Sequence, residues 1–420
     1  MGDLVLAETL FSALRERNPH ARLELLCRQD VAPVVGLYAR PPDAVHAFPF
    51  DPYRWGVPSD LIAAEIREVA ARVGTDVACF ISAELRATAL SEALAAVFAS
   101  PVTIIGDTSG RAQADDVFIL LRKLGVATNP VVRRLAHVPK EHELDRYARL
   151  ADAPERRRPS LRPAQPGNGE RRRLEVFPFG SAPLNRWPLE RTVAAAERIA
   201  ERYGLDVRLV GSEKQRPLLE NLAAMFARPP DIFAGTPARL PTLAEELTEA
   251  FGYVGVDTGL VHLAAAYGVP GVTIYGGEMW PAYAPWQTAS AGVLAPIPCF
   301  GCSWDCAFEH AFCIDGVDVD AIVKAFDAVA ADGRAGEVVV ELEAFTSRER
   351  AILEAASNAY RKAQADRLAR LAVITRLRDI LRRYAVRATR QRRKANASLR
   401  RLTGAAEEAV GLLEPWKARR

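Results

Sequence analysis

The stretch Val256-Asp257-Thr258-Gly259-Leu260-Val261-His262 decides the fold. The apolar run over 253–256 reads as a buried strand, and the run from Gly259 to residue 267 reads as a helix. The N–H groups of a helix's first turn have no partners within the helix and point along its axis, so such a turn can hold an anion. Gly259 lets a phosphate approach the backbone closely. Thr258 offers a hydroxyl, and His262 lies on the same first turn. Asp257 has two readings, a helix cap and a member of a phosphate-binding turn.

The same alternation runs outward from this turn. Downstream, a strand over 271–275 ends in Gly276-Gly277. Upstream come a helix over 242–250, with Thr242 and Glu245 at capping-box spacing, a short strand over 232–234 and a helix over 214–226. Before these lie a strand over 206–210, a helix over 188–203 that opens on Pro188, and a strand over 174–179. Residues 1–150 repeat the pattern, with helices over 4–17, 59–73 and 84–99 and strands over 22–27, 76–82 and 102–105. Such alternation argues for parallel sheets covered by helices on both faces. Residues 154–173, rich in Pro, Gly and Arg and without periodicity, read as an exposed linker. The expected domains are 1–153, the linker 154–173, 174–340 and a helical tail over 341–420. Ligands of open α/β sheets bind beyond the carboxyl ends of the strands, which puts the site between the two α/β domains.

Composition agrees with a globular chain. Of 420 residues, 49% are hydrophobic and 25% charged. The net charge of +3 hides a split. Residues 341–420 carry 20 Lys and Arg against 9 Asp and Glu, which leaves 35 against 43 for the rest, so an acidic body bears a basic tail. This excludes a globally nucleic-acid-binding chain. The tail lacks Pro and Gly over 347–401 and places Leu353, Ala356, Tyr360, Ile374, Leu377, Leu381 and Tyr384 at helical spacing, with Arg367 and Arg370 interrupting the stripe. It reads as a solvated helix, a membrane-surface helix or an oligomer contact, and no nucleic-acid motif accompanies it. The longest apolar run, 87–105, is broken by Ser91, Glu92 and Pro101, short of the roughly 18 residues of a membrane span. No signal-peptide pattern opens the chain, so a cytoplasmic protein with reduced thiols is expected.

With Leu263-Ala264-Ala265-Ala266 and Gly268-Val269-Pro270 following it, the 256–262 stretch resembles the donor-binding signature of family 9 glycosyltransferases, the heptosyltransferase-like enzymes of lipopolysaccharide assembly. Gly2-Asp3-Leu4-Val5-Leu6, Phe179-Gly180-Ser181 with Arg186-Trp187-Pro188, and Leu209-Val210-Gly211-Ser212-Glu213 match further motifs in order, so the likeness spans about residues 2–330. It implies a GT-B fold, two facing Rossmann-like domains, here with an added helical tail. It also implies an inverting, metal-independent transfer of a sugar from a nucleotide donor, ADP-heptose in the best-known members, to a lipid-linked or oligosaccharide acceptor. No cofactor is required. Asp3 maps to the general base. Asp257, Thr258, Gly259 and His262, joined by Arg186, map to the diphosphate site. Ser181 and Glu213 map near the nucleoside and sugar, and Glu278, in the loop after Gly277, is a further donor-sugar contact. An enzyme acting on lipid-linked sugars works at the inner leaflet, where the basic tail gives peripheral contact.

Two departures qualify the resemblance. The family often has a Lys phosphate clamp where this chain has Asn185, with Arg186 as the substitute. The Gly-Asp loop normally follows a central strand, which is missing before Met1. That leaves a gap in the first sheet and an untethered Asp3, and it suggests a truncated start. The alternative reading is a non-catalytic nucleotide-sugar or glycan-binding relative; an epimerase of the same fold fits the ordered motifs less well. Cys299, Cys302, Cys306 and Cys313, with His310 among them, have spacing that suits structural zinc. A similar Cys-rich stretch occurs in heptosyltransferase II-like members, which implies packed thiols or an incidental metal. Trp280, Tyr283 and Trp286 have two readings, stacking on a sugar or base and packing of a Pro-rich loop.

Overall fold

The computed structural model describes residues 1–48, 60–73, 77–82, 94–106, 132–136, 138, 141–163, 172–277, 280–286, 289–295, 297, 306, 311–332, 351–356, 358–359 and 362. The chain divides into two compact units, Met1–Ala355 and Ala356–Arg420. The described residues of the second unit, 356, 358, 359 and 362, are helical. The expectation of one long tail helix or a helical hairpin otherwise lies outside the described residues; of the helix expected over 84–99, residues 84–93 lie outside them and residues 94–97 are helical.

The first unit is built around a six-stranded parallel sheet. Its strands are β6 (Arg173–Phe177), β7 (Asp206–Ser212), β8 (Asp231–Gly235), β9 (Ala250–Val256), β10 (Gly271–Tyr275) and β11 (Ser290–Leu294). They lie in the order β11-β10-β9-β6-β7-β8. This is the doubly wound order, which reverses direction between β6 and β9 and so opens a crevice at their carboxyl ends. Every residue of β10 and all but one of β9 are buried, as a strand covered on both faces requires.

Helices α4 (Leu189–Tyr203), α5 (Arg216–Ala223), α6 (Leu240–Leu247), α7 (Gly259–Ala266), α8 (Phe312–Asp315) and α9 (Val319–Asp332) cover the two faces. Helix α4 ends at Gly204, whose φ of 65° is the left-handed conformation that terminates helices without strain in glycine. One core joins Trp187, Ile199, Leu219, Ile322 and Phe326. The other joins Phe177, Tyr253, Leu243, Leu247, Val261 and Leu263. Helix α6 starts at Leu240, two residues before the Thr242 capping box, because Pro241 fits the first helical turn and leads in from a 3-10 turn at Pro237–Arg239.

The N-terminal part holds two smaller parallel sheets. β1 (Glu24–Arg28) pairs with β2 (Ala44–Phe48), and β3 (Phe80–Ser82), β4 (Val102–Gly106) and β5 (Val132–Ala136) form a second ladder. No ladder joins the two among the described residues. Around them lie α1 (Gly2–Arg17), α2 (Asp60–Val73) and α3 (Glu143–Leu150). Asp3, expected on a loose loop, instead sits in the first turn of α1. That helix is anchored by the buried Val5, Leu6, Leu10 and Phe11. At about 1.5–3 kcal/mol for each fully buried side chain of this kind, these contacts tether the turn firmly.

Val5 and Phe11 join Val34, Val35 and Tyr38 in the same core as α6 and α7, so α1 packs directly on the six-stranded half. The first residues of the expected linker are also fastened. The Ser160 N–H donates to buried Glu8 at 2.6 Å, and the Arg162 N–H donates to the Leu37 carbonyl at 2.7 Å. Among the described residues, no helix is long and apolar enough to cross a membrane.

Candidate active site

The reversal between β6 and β9 puts two loops side by side. After β9, Asp257 and Thr258 lead into α7. Thr258 is the N-cap residue, with extended backbone, and its side chain makes no capping hydrogen bond. Asp257 is not the N-cap residue, and among the described residues no side chain caps the first-turn donors of α7. After β6, the chain turns back through Phe179, which bridges Arg186 in antiparallel fashion. Asn185 is buried there, and its Nδ2 donates to the Asp257 carbonyl at 2.7 Å. The side chain in the clamp position thus braces the loop that carries Asp257. Its neighbour Arg186 is exposed. It lines a cavity of about 310 Å³ with Leu184, Trp187, Pro188, Ala311 and Asp315.

Helix α1 meets α7 N-terminus to N-terminus. A Cβ on Gly2 would stand 2.7 Å from His262 Cδ2, and one on Gly259 would stand 2.8 Å from the Gly2 nitrogen. Only glycine at both positions allows so close an approach, and the first turn of α7 is partly covered by Met1 and Gly2. Asp3 remains exposed beside it. Asp257 and His262 are buried, with Asp257 Oδ1 and His262 Nε2 3.9 Å apart, too far for a hydrogen bond. Burial, and then the Asp3 charge, push the Asp257 carboxyl up to about 7. Burial pulls His262 down to about 4, with Asp3 opposing and His142 adding to the fall. At neutral pH His262 is uncharged, and Asp257 holds a proton far more readily than an ordinary carboxyl. His262 Nδ1 is buried and has no hydrogen-bond partner among the described residues. A buried imidazole nitrogen with an unmet bond beside an uncapped helix start is suited to an oxyanion.

The family model described as glycosyltransferase family 9 (heptosyltransferase) matches residues 87–309, more than half of the chain. The chain belongs to glycosyltransferase family 9. The solved structure of E. coli ADP-heptose lipopolysaccharide heptosyltransferase II shares its fold with a TM-score of 0.57 at 17% identity, over 80% of this chain and 97% of that one. The E. coli heptosyltransferase WaaC with ADP does so with a TM-score of 0.55 at 16% identity, over 79% and 97%. No curated protein matches the sequence significantly. The fold is GT-B, and the enzyme is a glycosyltransferase.

The remaining expected donor contacts of this family 9 enzyme lie along the same crevice or outside the described residues. Ser181 is exposed on the loop after β6, and Glu213 is exposed after β7. The Arg216 guanidinium bonds Glu213 at 2.8 and 3.0 Å and holds its carboxyl below the usual range. Gln215 Nε2 reaches the Gly180 carbonyl at 3.4 Å and ties the two loops together. Glu278, Cys299, Cys302 and His310 lie outside the described residues. Cys306 is half-buried, and Cys313 is buried in α8. Among the described residues, no group of three or more His, Cys, Asp or Glu is placed to hold a metal.

The three aromatics of the glycosyltransferase's 280–286 segment are engaged in packing. Trp280 lies against Tyr275 with ring centroids 5.0 Å apart. Tyr283 packs on the core shared by α1 and α3. Trp286 stands beneath Arg156, whose guanidinium lies 3.7 Å from the ring centroid. Sequence reading missed one part of the site altogether. The start of α3 brings His142, Glu143, Arg146 and Tyr147 into the interior, all at 8% exposure or less. Arg146 pairs with Glu143, and the Tyr147 hydroxyl donates to the Asp3 carbonyl at 3.4 Å. The only sequence signal was the spacing of Leu144, Tyr147 and Leu150 on one face of a charged run.

Proposed function

We propose that this enzyme transfers a heptose or similar sugar, with inversion and without a bound metal, from a nucleotide-diphosphate donor such as ADP-heptose to a cell-surface glycan such as lipopolysaccharide core. The observation that carries the reading is the meeting of α1 and α7: an exposed carboxylate, Asp3, stands on the helix turn packed against Gly259 and His262. Asp3 takes the proton of the acceptor hydroxyl as its oxygen bonds the anomeric carbon and the bond to the diphosphate breaks. The charge left on the diphosphate is met by the first-turn N–H groups of α7 with Thr258, Gly259 and His262, while Arg186, Ser181, Glu213 and Glu278 complete the donor site. Helix donors, a buried imidazole and the Arg186 guanidinium supply this without a bound metal. The basic segment 341–420, with 20 Lys and Arg against 9 Asp and Glu, supports work at the anionic cytoplasmic face of the inner membrane.

The test is turnover of ADP-heptose, with transfer to lipopolysaccharide core, by wild type and Asp3→Asn. Loss of about 10²–10⁴-fold in kcat with ADP affinity retained is expected for a missing general base. Equal turnover by both proteins refutes Asp3 as the base, and no turnover by either refutes the donor assignment.

A further inference from the structure

The start of α3 makes an unusual set of bonds. The Leu144 N–H donates to His142 Nδ1 at 3.1 Å, so that nitrogen carries no proton. His142 Nε2 lies 2.9 Å from the Ala284 carbonyl, which can only accept, so this nitrogen is the donor. The ring is thereby fixed as the neutral Nε2–H tautomer. The Glu143 N–H donates to the Ala282 carbonyl at 2.9 Å, and the Asp145 N–H to the His142 carbonyl at 2.9 Å. The first N–H donors of α3 are therefore all engaged, and one of them, together with the His142 Nε2–H, reaches into segment 280–286. This helix start is a docking contact rather than an anion site. Trp286 completes it: His142 meets the ring edge-on at 5.9 Å, and Arg156 covers the ring while also bonding Asp145 at 3.4 Å.

One turn further along, α3 reaches α1. Leu144, Tyr147 and Leu150 pack with Leu6, Ala7 and Leu10, and Tyr283 packs on the same cluster. The Tyr147 hydroxyl bonds the carbonyl of Asp3 itself. One short helix thus touches both the segment that follows the donor-side Gly276-Gly277 loop and the turn that carries Asp3.

We infer that His142 is a positioning residue: it clasps α3 to segment 280–286 and so holds the Asp3 turn of α1 in register with the donor half of the site. This rests on the reading of Asp3 as the base. The step it serves is the acceptor attack, which is sensitive to small misplacements of the base.

The test separates a clasp from a mere helix cap. His142→Ala loses both functions. His142→Asp keeps an acceptor for the Leu144 N–H but cannot donate to Ala284. Two readouts are taken on the full chain, amide hydrogen exchange and ADP-heptose turnover, with ADP affinity as control. In both variants we expect exchange at 280–286 and in the first turn of α1 to accelerate roughly tenfold or more. We expect kcat to fall about 10–100-fold with ADP affinity nearly unchanged. His142→Asp alone recovers thermal stability. Wild-type exchange at α1 in His142→Asp, or wild-type kcat in it, overturns the inference and leaves only a cap. If the wild type does not turn over ADP-heptose, the functional reading fails, while the exchange measurement still decides the clasp.

Discussion

The side-chain amide of Asn185 donates to the main-chain carbonyl of Asp257 across the point where the six-stranded sheet reverses direction. The Gly180 N–H donates to the Asn185 carbonyl at 2.8 Å, and a Cβ on Gly180 would stand 2.2 Å from Asn185 Nδ2. The amide is therefore enclosed on one side by the turn it belongs to and bonded on the other to the loop before α7. It fixes the height at which Asp257 leaves the sheet, and with it the start of the helix that carries His262.

Replacing Asn185 should therefore read as lost stability rather than altered charge. Asn185→Leu leaves a buried carbonyl without its donor, a loss of about 1–3 kcal/mol. Asn185→Lys introduces the clamp residue that the resemblance implies here, but it brings a buried ammonium into a space shaped for an amide. Urea unfolding should show both variants destabilised, and calorimetry should show no gain in ADP affinity for the lysine. A lysine variant as stable as wild type that bound ADP more tightly would return this position to the role of phosphate clamp.

The contact between α1 and α7 gives a second prediction. A Cβ at Gly259 meets the Gly2 nitrogen at 2.8 Å and Met1 Cε and Cβ at 2.8 and 2.9 Å. The nitrogen is main chain, so Gly259→Ala must push the first turn of α1 away, an overpacking cost of about 1–3 kcal/mol. Hydrogen exchange should rise in that first turn and stay slow around Leu6 and Leu10, which are held by α3. Unchanged protection at the first turn, with unchanged stability, would show that the two turns do not touch in solution.

These contacts show where sequence reading succeeds and where it stops. The β9–α7 turn was legible because a buried strand, a glycine turn and an apolar helix each leave a local pattern, and residues 253–266 carry all three in order. The strands β2, β5 and β11 were not. Ser290-Ala291-Gly292-Val293-Leu294 is small and glycine-containing, and it becomes a strand only because β10 offers a ladder. Helix α3 was missed for a related reason. Its Glu143 and Arg146 look like surface charges in sequence, yet they are buried because they pair with each other. The bracing contact of Asn185 was not legible either, because sequence does not show that an amide faces a carbonyl 72 residues away. That Asp3 sits in a helical turn and not on a loose loop was hidden for the same reason: the contacts that anchor α1 come from residues far away in sequence.

The buried pair at the site makes opposing demands on pH, which yields the last prediction. Asp257 titrates near 3.8 when unfolded and near 7 in the native protein. Between those values the native state keeps a proton that the unfolded chain has lost. The stability it contributes is full below about pH 4 and is lost as pH rises through 7. His262 titrates near 6.5 when unfolded and near 4 in the native protein. Between those values the unfolded chain holds the extra proton, so its contribution grows as pH rises from 4 to 6.5. Each slope is at most about 1.4 kcal/mol per pH unit, and over the shared window they cancel in the wild type. Removing one partner should uncover the other. Asp257→Asn should gain stability relative to wild type as pH rises from 4 to 7, and His262→Gln should lose it. Urea unfolding at intervals of half a pH unit reads both differences, and groups elsewhere in the chain contribute equally to all three proteins. Parallel curves for the two variants and the wild type would show that the pair is not held in its buried, uncharged state.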